Sequence, residues 1–195
     1  MMKRFFIVHL LVLVMFLFTG CVALESMNQD PGPPAVPRYT KFNIHGQQKS
    51  GSTINASYAN WTGPFQGHMV VPMNTKVTVT PKGRGLTILM VETGEKINFQ
   101  YDEKRVEMSV DEYIDLITSP NPVSMKSFSK IDRKGIKEGK VFKGMTKKGV
   151  MAAFGYPAPH KTPSTKSNQW VYWKSRYGSK VVFFNTSGKV KSIKY

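Results

Sequence analysis

The only cysteine among 195 residues is Cys21, and it closes an apolar run near the start of the chain. With one cysteine there is no internal disulfide framework and no cysteine-built zinc or iron–sulfur site. Whatever folds after residue 21 therefore has to be held by apolar burial and hydrogen bonds. Twelve Phe, eight Tyr and three Trp supply that burial and are too many for a disordered chain.

The run itself is a targeting segment. Lys3 and Arg4 form its positive end, and Phe5 to Phe18 is apolar but for His9. At about 1.5 Å per residue, that stretch spans roughly 21 Å in a helix, short of the ~30 Å hydrocarbon core. Residues 1–20 are expected to be a signal peptide rather than a membrane span. Leu17-Phe18-Thr19-Gly20-Cys21 resembles a bacterial lipobox, with Phe18 where Leu is usual. The resemblance implies that Cys21 becomes the mature N-terminus and carries diacylglycerol and fatty acyl groups, the only prosthetic groups expected. Each buried CH₂ contributes about 0.8 kcal/mol, so two or more chains anchor firmly. In a Gram-negative envelope, Val22 after the cysteine, in place of Asp, implies outer-membrane sorting.

Residues 21–38 are expected to be a tether. Asp30-Pro31-Gly32-Pro33-Pro34-Ala35-Val36-Pro37 favours extended polyproline II, a semi-stiff spacer. Charge then divides the remainder. Arg38 to Val123 holds nine Lys+Arg and eight Asp+Glu, whereas Ser124 to Tyr195 holds seventeen Lys+Arg and only Asp132 and Glu138. The break predicts two modules, 39–123 and 124–195, in an α+β chain.

The first module has the signals of a β-meander closed by a helix. Lys76 to Thr80 and Lys96 to Tyr101 alternate, and Lys82-Gly83-Arg84-Gly85 turns the chain. Ser109-Val110-Asp111-Glu112 is a capping box, followed by Tyr113, Ile114 and Ile117 at helical spacing, with Pro120 as a stop. Gln47 to Gly67, rich in Ser, Asn and Gly and carrying Tyr58, Trp61 and Phe65, has no pattern that assigns an element. In the second module, Thr146 caps a short helix from Lys147 to Phe154 and Gly155 is expected in αL. Gly149 inside that helix costs about 1 kcal/mol relative to Ala. Three strands follow, Gln169–Trp173, Lys180–Phe184 and Lys189–Tyr195, giving one helix packed on a three-stranded antiparallel sheet. A fragment starting near Lys134 is expected to fold by itself, because such a unit buries its own face.

Gly144-Met145-Thr146, Gly155-Tyr156-Pro157, Trp170-Val171-Tyr172, Val181-Val182-Phe183 and Gly188-Lys189-Val190-Lys191-Ser192-Ile193 stand in an order that resembles the SmpA/OmlA family, the BamE-like component of the outer-membrane β-barrel assembly machinery. The likeness covers the C-terminal module only. It implies a cell-envelope lipoprotein that binds other envelope components, faces the periplasm and catalyses nothing. The same fold class resembles β-lactamase-inhibitor domains, so a periplasmic enzyme inhibitor is the alternative.

Candidate chemistry is sparse. His45, His68 and His160 lack ligand spacing, Asp102/Glu103 forms a charge cluster with Lys104-Arg105, and Asp111/Glu112 serves the helix cap. No metal, no cofactor and no catalysis are expected. The basic C-terminal half with its aromatics has the composition of a nucleic-acid binder. Export argues against that partner and favours anionic lipid headgroups or an acidic envelope protein. Lys143, Lys147 and Lys148 crowd one helix start, where repulsion and the helix dipole both oppose them, and are the candidate anion-binding residues.

Overall fold

In the computed structural model, residues 35–48, 51–175 and 177–195 are described; Cys21, the expected signal peptide and most of the expected tether lie outside them. The chain is α+β. Eleven strands form two sheets, and four short α-helices are described with them.

The larger sheet contains β1 (Arg38–Thr40), β2 (Ile44–Gln48), β3 (Thr53–Ser57), β4 (His68–Val71), β5 (Lys76–Lys82), β6 (Gly85–Met90), β7 (Lys96–Gln100) and β8 (Thr118–Ser119). Its order is β4-β2-β3-β7-β6-β5-β1-β8. The alternating stretches behave as their pattern requires: in β7, Ile97 and Phe99 are buried while Lys96, Asn98 and Gln100 are exposed. β5, β6 and β7 are the expected meander, turning at Gly83-Arg84. The rest is not a meander. β3 runs parallel to β7, and the unassigned stretch supplies β3 and the end of β2. Parallel pairing needs a crossover, and no local turn signal encodes one.

Helix α1 (Glu103–Val106) and helix α2 (Val110–Ile117) follow β7. The capping box forms as expected: Ser109 Oγ accepts from the Glu112 amide, and the Glu112 carboxylate accepts from the Ser109 amide at 2.8 Å. Tyr113 of α2 lies against Phe99 and Tyr101 at ring-centroid distances of 5.8 and 5.2 Å. With Ile54, Val77, Ile88, Ile97 and Ile117 these rings make the first core.

The second core lies between two helices and the small sheet. Helix α3 (Lys130–Glu138) and helix α4 (Lys147–Phe154) pack with β9 (Gln169–Ser175), β10 (Gly178–Phe184) and β11 (Val190–Lys194), ordered β11-β10-β9. Trp170, Tyr172, Val182 and Phe184 face inward; Phe183 is on the opposite face, under Lys194. The three strands and α4 match expectation. Helix α3 does not, since the sequence pattern indicated one helix. Its residues include Gly135, six charged side chains and only two large apolar ones, Ile131 and Ile136, so the apolar stripe is too thin to stand out although it lies on one face. The signal was its capping box, Ser129 with Asp132 at the third position.

Asp132 explains why α3 is needed. It is buried, and its carboxylate accepts from the Ser129 amide and hydroxyl and from the Thr146 amide and hydroxyl, at 2.7–3.1 Å. One carboxylate thus serves the N-termini of both helices. A boundary at Lys134 cuts α3 and removes this group, so a fragment beginning there lacks the link between the helices. Gly155, expected in αL, has φ 86° and ψ 179°, an extended mirror-image conformation that glycine adopts without penalty.

Gly149 also finds its reason here. A Cβ at this position would stand 2.0 Å from Asp132 Oδ1. Helix propensity alone makes Gly149→Ala stabilising by about 1 kcal/mol. Contact with Asp132 reverses the sign, and we expect net destabilisation of about 1–3 kcal/mol, the range for an overpacked site. Urea unfolding of the two proteins measures it; a variant as stable as the parent would remove Asp132 from its place as the link.

Candidate functional site

The two cores are joined by a buried polar seam that fixes the loops of a cleft. Asn43 accepts on Oδ1 from the Met73 amide at 2.8 Å and donates through Nδ2 to Ile136 O at 2.7 Å and Ala153 O at 3.3 Å. Its own amide donates to Ala152 O. Beside it, His45 Nε2 lies 2.7 Å from Ala153 O. A carbonyl only accepts, so Nε2 carries the proton. Nδ1 is left to accept from His68 Nε2 at 3.1 Å. Burial pushes the His45 pKa down to about 4, despite the opposing pull of the Ala153 carbonyl, with smaller lowering from His68 and Lys180.

Lys180 of β10 completes the seam. Its ammonium is buried and donates to Thr62 O at 2.8 Å and Gly63 O at 2.5 Å, above the Phe154 ring. Burial lowers its pKa to about 8, helped by Lys174. Thr62 in turn donates from its amide to Trp173 O at 2.7 Å, covering the free edge of β9. Thr162 does the same further along, its hydroxyl accepting from the Val171 amide at 2.9 Å. These bonds hold two loops, 58–66 and 156–164, against β9.

Between them is a cleft of about 660 Å³. Tyr58, Trp61, Phe65, His160, Trp173 and Tyr177 supply its rings. Tyr58 meets His160 edge-on at 6.0 Å, and His160 is nearly parallel to Trp173 at 6.5 Å. Phe65 is seated edge-on against His68 at 5.1 Å, so the seam also fixes that ring. Gln47, Gln100, Ser57 and Ser175 contribute neutral polar groups, and Arg105 is at the rim, donating to the Tyr58 hydroxyl at 3.3 Å and standing 3.5 Å from Asp102. Burial, with Arg105 and Lys161, lowers the His160 pKa. Among the described residues, His160 Nδ1, Trp173 Nε1 and, in the second core, Trp170 Nε1 are closed off from solvent without a hydrogen-bond partner. No carboxylate is among the described lining residues. The cleft offers ring faces to stack on and neutral donors and acceptors beside them.

The three lysines do not form one cluster. Lys147 is half-buried, its ammonium bonded to Lys166 O at 2.7 Å and lying over Trp170 and Phe184. Lys148 reaches Ser127 Oγ at 2.7 Å and covers Phe128. Lys143 is exposed. Cys21 lies outside the described residues. The cleft was missed from sequence because three of its rings fall in the stretch without periodicity, Trp173 was assigned to a strand, and Tyr177 fell in the connection between two strands. Density of aromatics in a Ser/Asn/Gly-rich loop was the available signal.

Among the described residues no helix is long and apolar enough to cross a membrane, and no group of three or more His, Cys, Asp and Glu is placed to hold a metal. No protein-family model matches the chain, and neither a curated protein nor a solved structure does.

The seam carries a pH dependence. The folded His45 pKa of about 4 is below the ordinary 6.5, so between these values only the unfolded chain takes up this proton. Stability from His45 is complete above pH 6.5 and is lost as pH falls toward 4, by up to about 3 kcal/mol. Urea unfolding between pH 4 and 8 should show this loss, and NMR titration should place the His45 midpoint near 4; a midpoint near 6.5 would exclude the assignment.

Proposed function

We propose that this protein is a bacterial cell-envelope lipoprotein with a non-catalytic binding or scaffolding role at the periplasmic face of the outer membrane. The observation that carries the location is the placement of the sole cysteine: Cys21 directly follows Phe18-Thr19-Gly20 at the end of an apolar run with a positive start. The observation behind the binding role is the cleft, whose rings and neutral amides are suited to recognition. The BamE-like likeness of the C-terminal half agrees with an envelope component that works through contacts.

In this reading the basic half of the chain faces anionic headgroups. Exposed Lys143 and Lys148 are suited to that contact, each worth about 1 kcal/mol near an anionic surface. Lys147, satisfied by Lys166 O, holds the 164–168 turn to α4.

The anchor is tested by labelling. In bacterial cells the wild-type chain should take up labelled palmitate and sediment with membranes, while Cys21→Ser should stay unlabelled and keep its signal peptide. Equal labelling of both proteins would overturn the lipoprotein assignment.

A further inference from the structure

We propose that the cleft between loops 58–66 and 156–164 binds a pyranose glycan, by stacking sugar rings on Trp61 and Trp173 and bonding their hydroxyls through the neutral side chains beside them. This deepens the binding role proposed above and rests on it.

Three features of the lining select this chemistry. The first is the pairing of flat aromatic faces with uncharged polar groups. A ring face carries partial negative charge and attracts the C–H-rich face of a pyranose. The edge of the same sugar bears hydroxyls, each both donor and acceptor. Gln100, at the exposed end of β7, offers both functions from one amide; Gln47 spends its NH₂ on Gln66 O and keeps its oxygen free to accept.

The second feature is that the neutral lining groups ask for donors as well as acceptors: the Gln47 oxygen accepts, the Gln100 amide does both, and the serine hydroxyls can donate. Sugar hydroxyls answer each of these. A proline-rich peptide also docks on aromatic grooves, but its backbone offers acceptors and almost no donors. It would leave the acceptor oxygen of Gln47 unanswered.

The third feature is charge. In a chain of net charge +16, the cleft holds one cation among its described lining residues, and Asp102 stands 3.5 Å from it. Phosphates and anionic headgroups would be drawn to the lysine-rich surface instead. A volume of about 660 Å³ has room for a short oligosaccharide and lies inside the usual range for small-molecule sites.

Two envelope sources share this chemistry, the amino-sugar strands of the cell wall and the core oligosaccharide of lipopolysaccharide. The experiment uses the full chain in detergent, with tryptophan fluorescence as readout. Trp61 and Trp173 line the cleft, and Trp170 is 1% exposed in the core, so the signal reports on the site. Peptide-free cell-wall glycan strands and purified core oligosaccharide are titrated separately, with a proline-rich peptide as the third arm. We expect saturable binding of one glycan, weakened about tenfold or more by Trp61→Ala and by Tyr177→Ala. Tyr177 is 89% exposed, so its substitution leaves the core intact, and unchanged thermal unfolding checks this. Which glycan binds identifies the source. No glycan binding, or glycan binding indifferent to both substitutions, overturns the proposal. Binding of the peptide alone, lost in the same variants, also overturns it while sparing the binding role. Palmitate labelling of Cys21 is independent of all three arms, so failure of the envelope assignment is seen separately.

Discussion

Asn43 is the residue on which the arrangement of the whole described fold turns. Its side chain and amide engage Met73, Ile136, Ala152 and Ala153, and so join the first sheet to α3 and α4 at a buried point. Neither core could do this by apolar contact alone. Hydrophobic burial is non-directional and leaves two packed faces free to slide. An amide with two donors and an acceptor, closed off from water, has one arrangement in which nothing is left unpaired, and every other arrangement costs about 1–3 kcal/mol per orphaned group.

That fixed relation is what creates the cleft. Its walls come from separate parts of the chain, β3 with its following loop on one side, β9 and the 156–164 loop on the other. Lys180 donates across the junction to Thr62 and Gly63, and Thr62 donates to Trp173, so Trp61 directly precedes two residues that the second sheet holds. The same bonds cover the open edge of β9, which would otherwise present unpaired backbone groups. Edge protection and ring placement are one device. The buried charge of Lys180 is expensive to desolvate, and the depressed pKa of about 8 is its mark; two carbonyls and a ring face compensate it.

Legibility in the sequence followed the range of the forces involved. Helix α2, helix α4 and the three C-terminal strands were readable because capping and alternation are local: Ser109 meets Glu112 and Thr146 meets Gly149, each three residues away. Helix α3 was hidden because its apolar face is thin and its stability comes from Asp132 reaching Thr146, fourteen residues on. The parallel pairing of β3 with β7 was hidden for the same reason, with partners forty-three positions apart, such as Thr53 and Lys96. Gly149 stood out from sequence as a weakness in a helix, and only the position of Asp132 turns it into a requirement. The cleft needed five chain segments brought together, and no pattern within one segment foretells that.

The cleft lining differs in charge from the rest of the C-terminal half. The basic surplus lies after Ser124, but the described residues from that half that line the cleft, His160, Trp173, Ser175 and Tyr177, are uncharged or held neutral by their surroundings. A lysine-rich surface attracts any anionic partner over a screening length of about 8 Å and discriminates little between them. Stacking rings act only at contact and reward a matching shape. The polar seam, built from Asn43, His45 and Lys180, holds the aromatic loops through buried groups, without borrowing any of the surface lysines to do so.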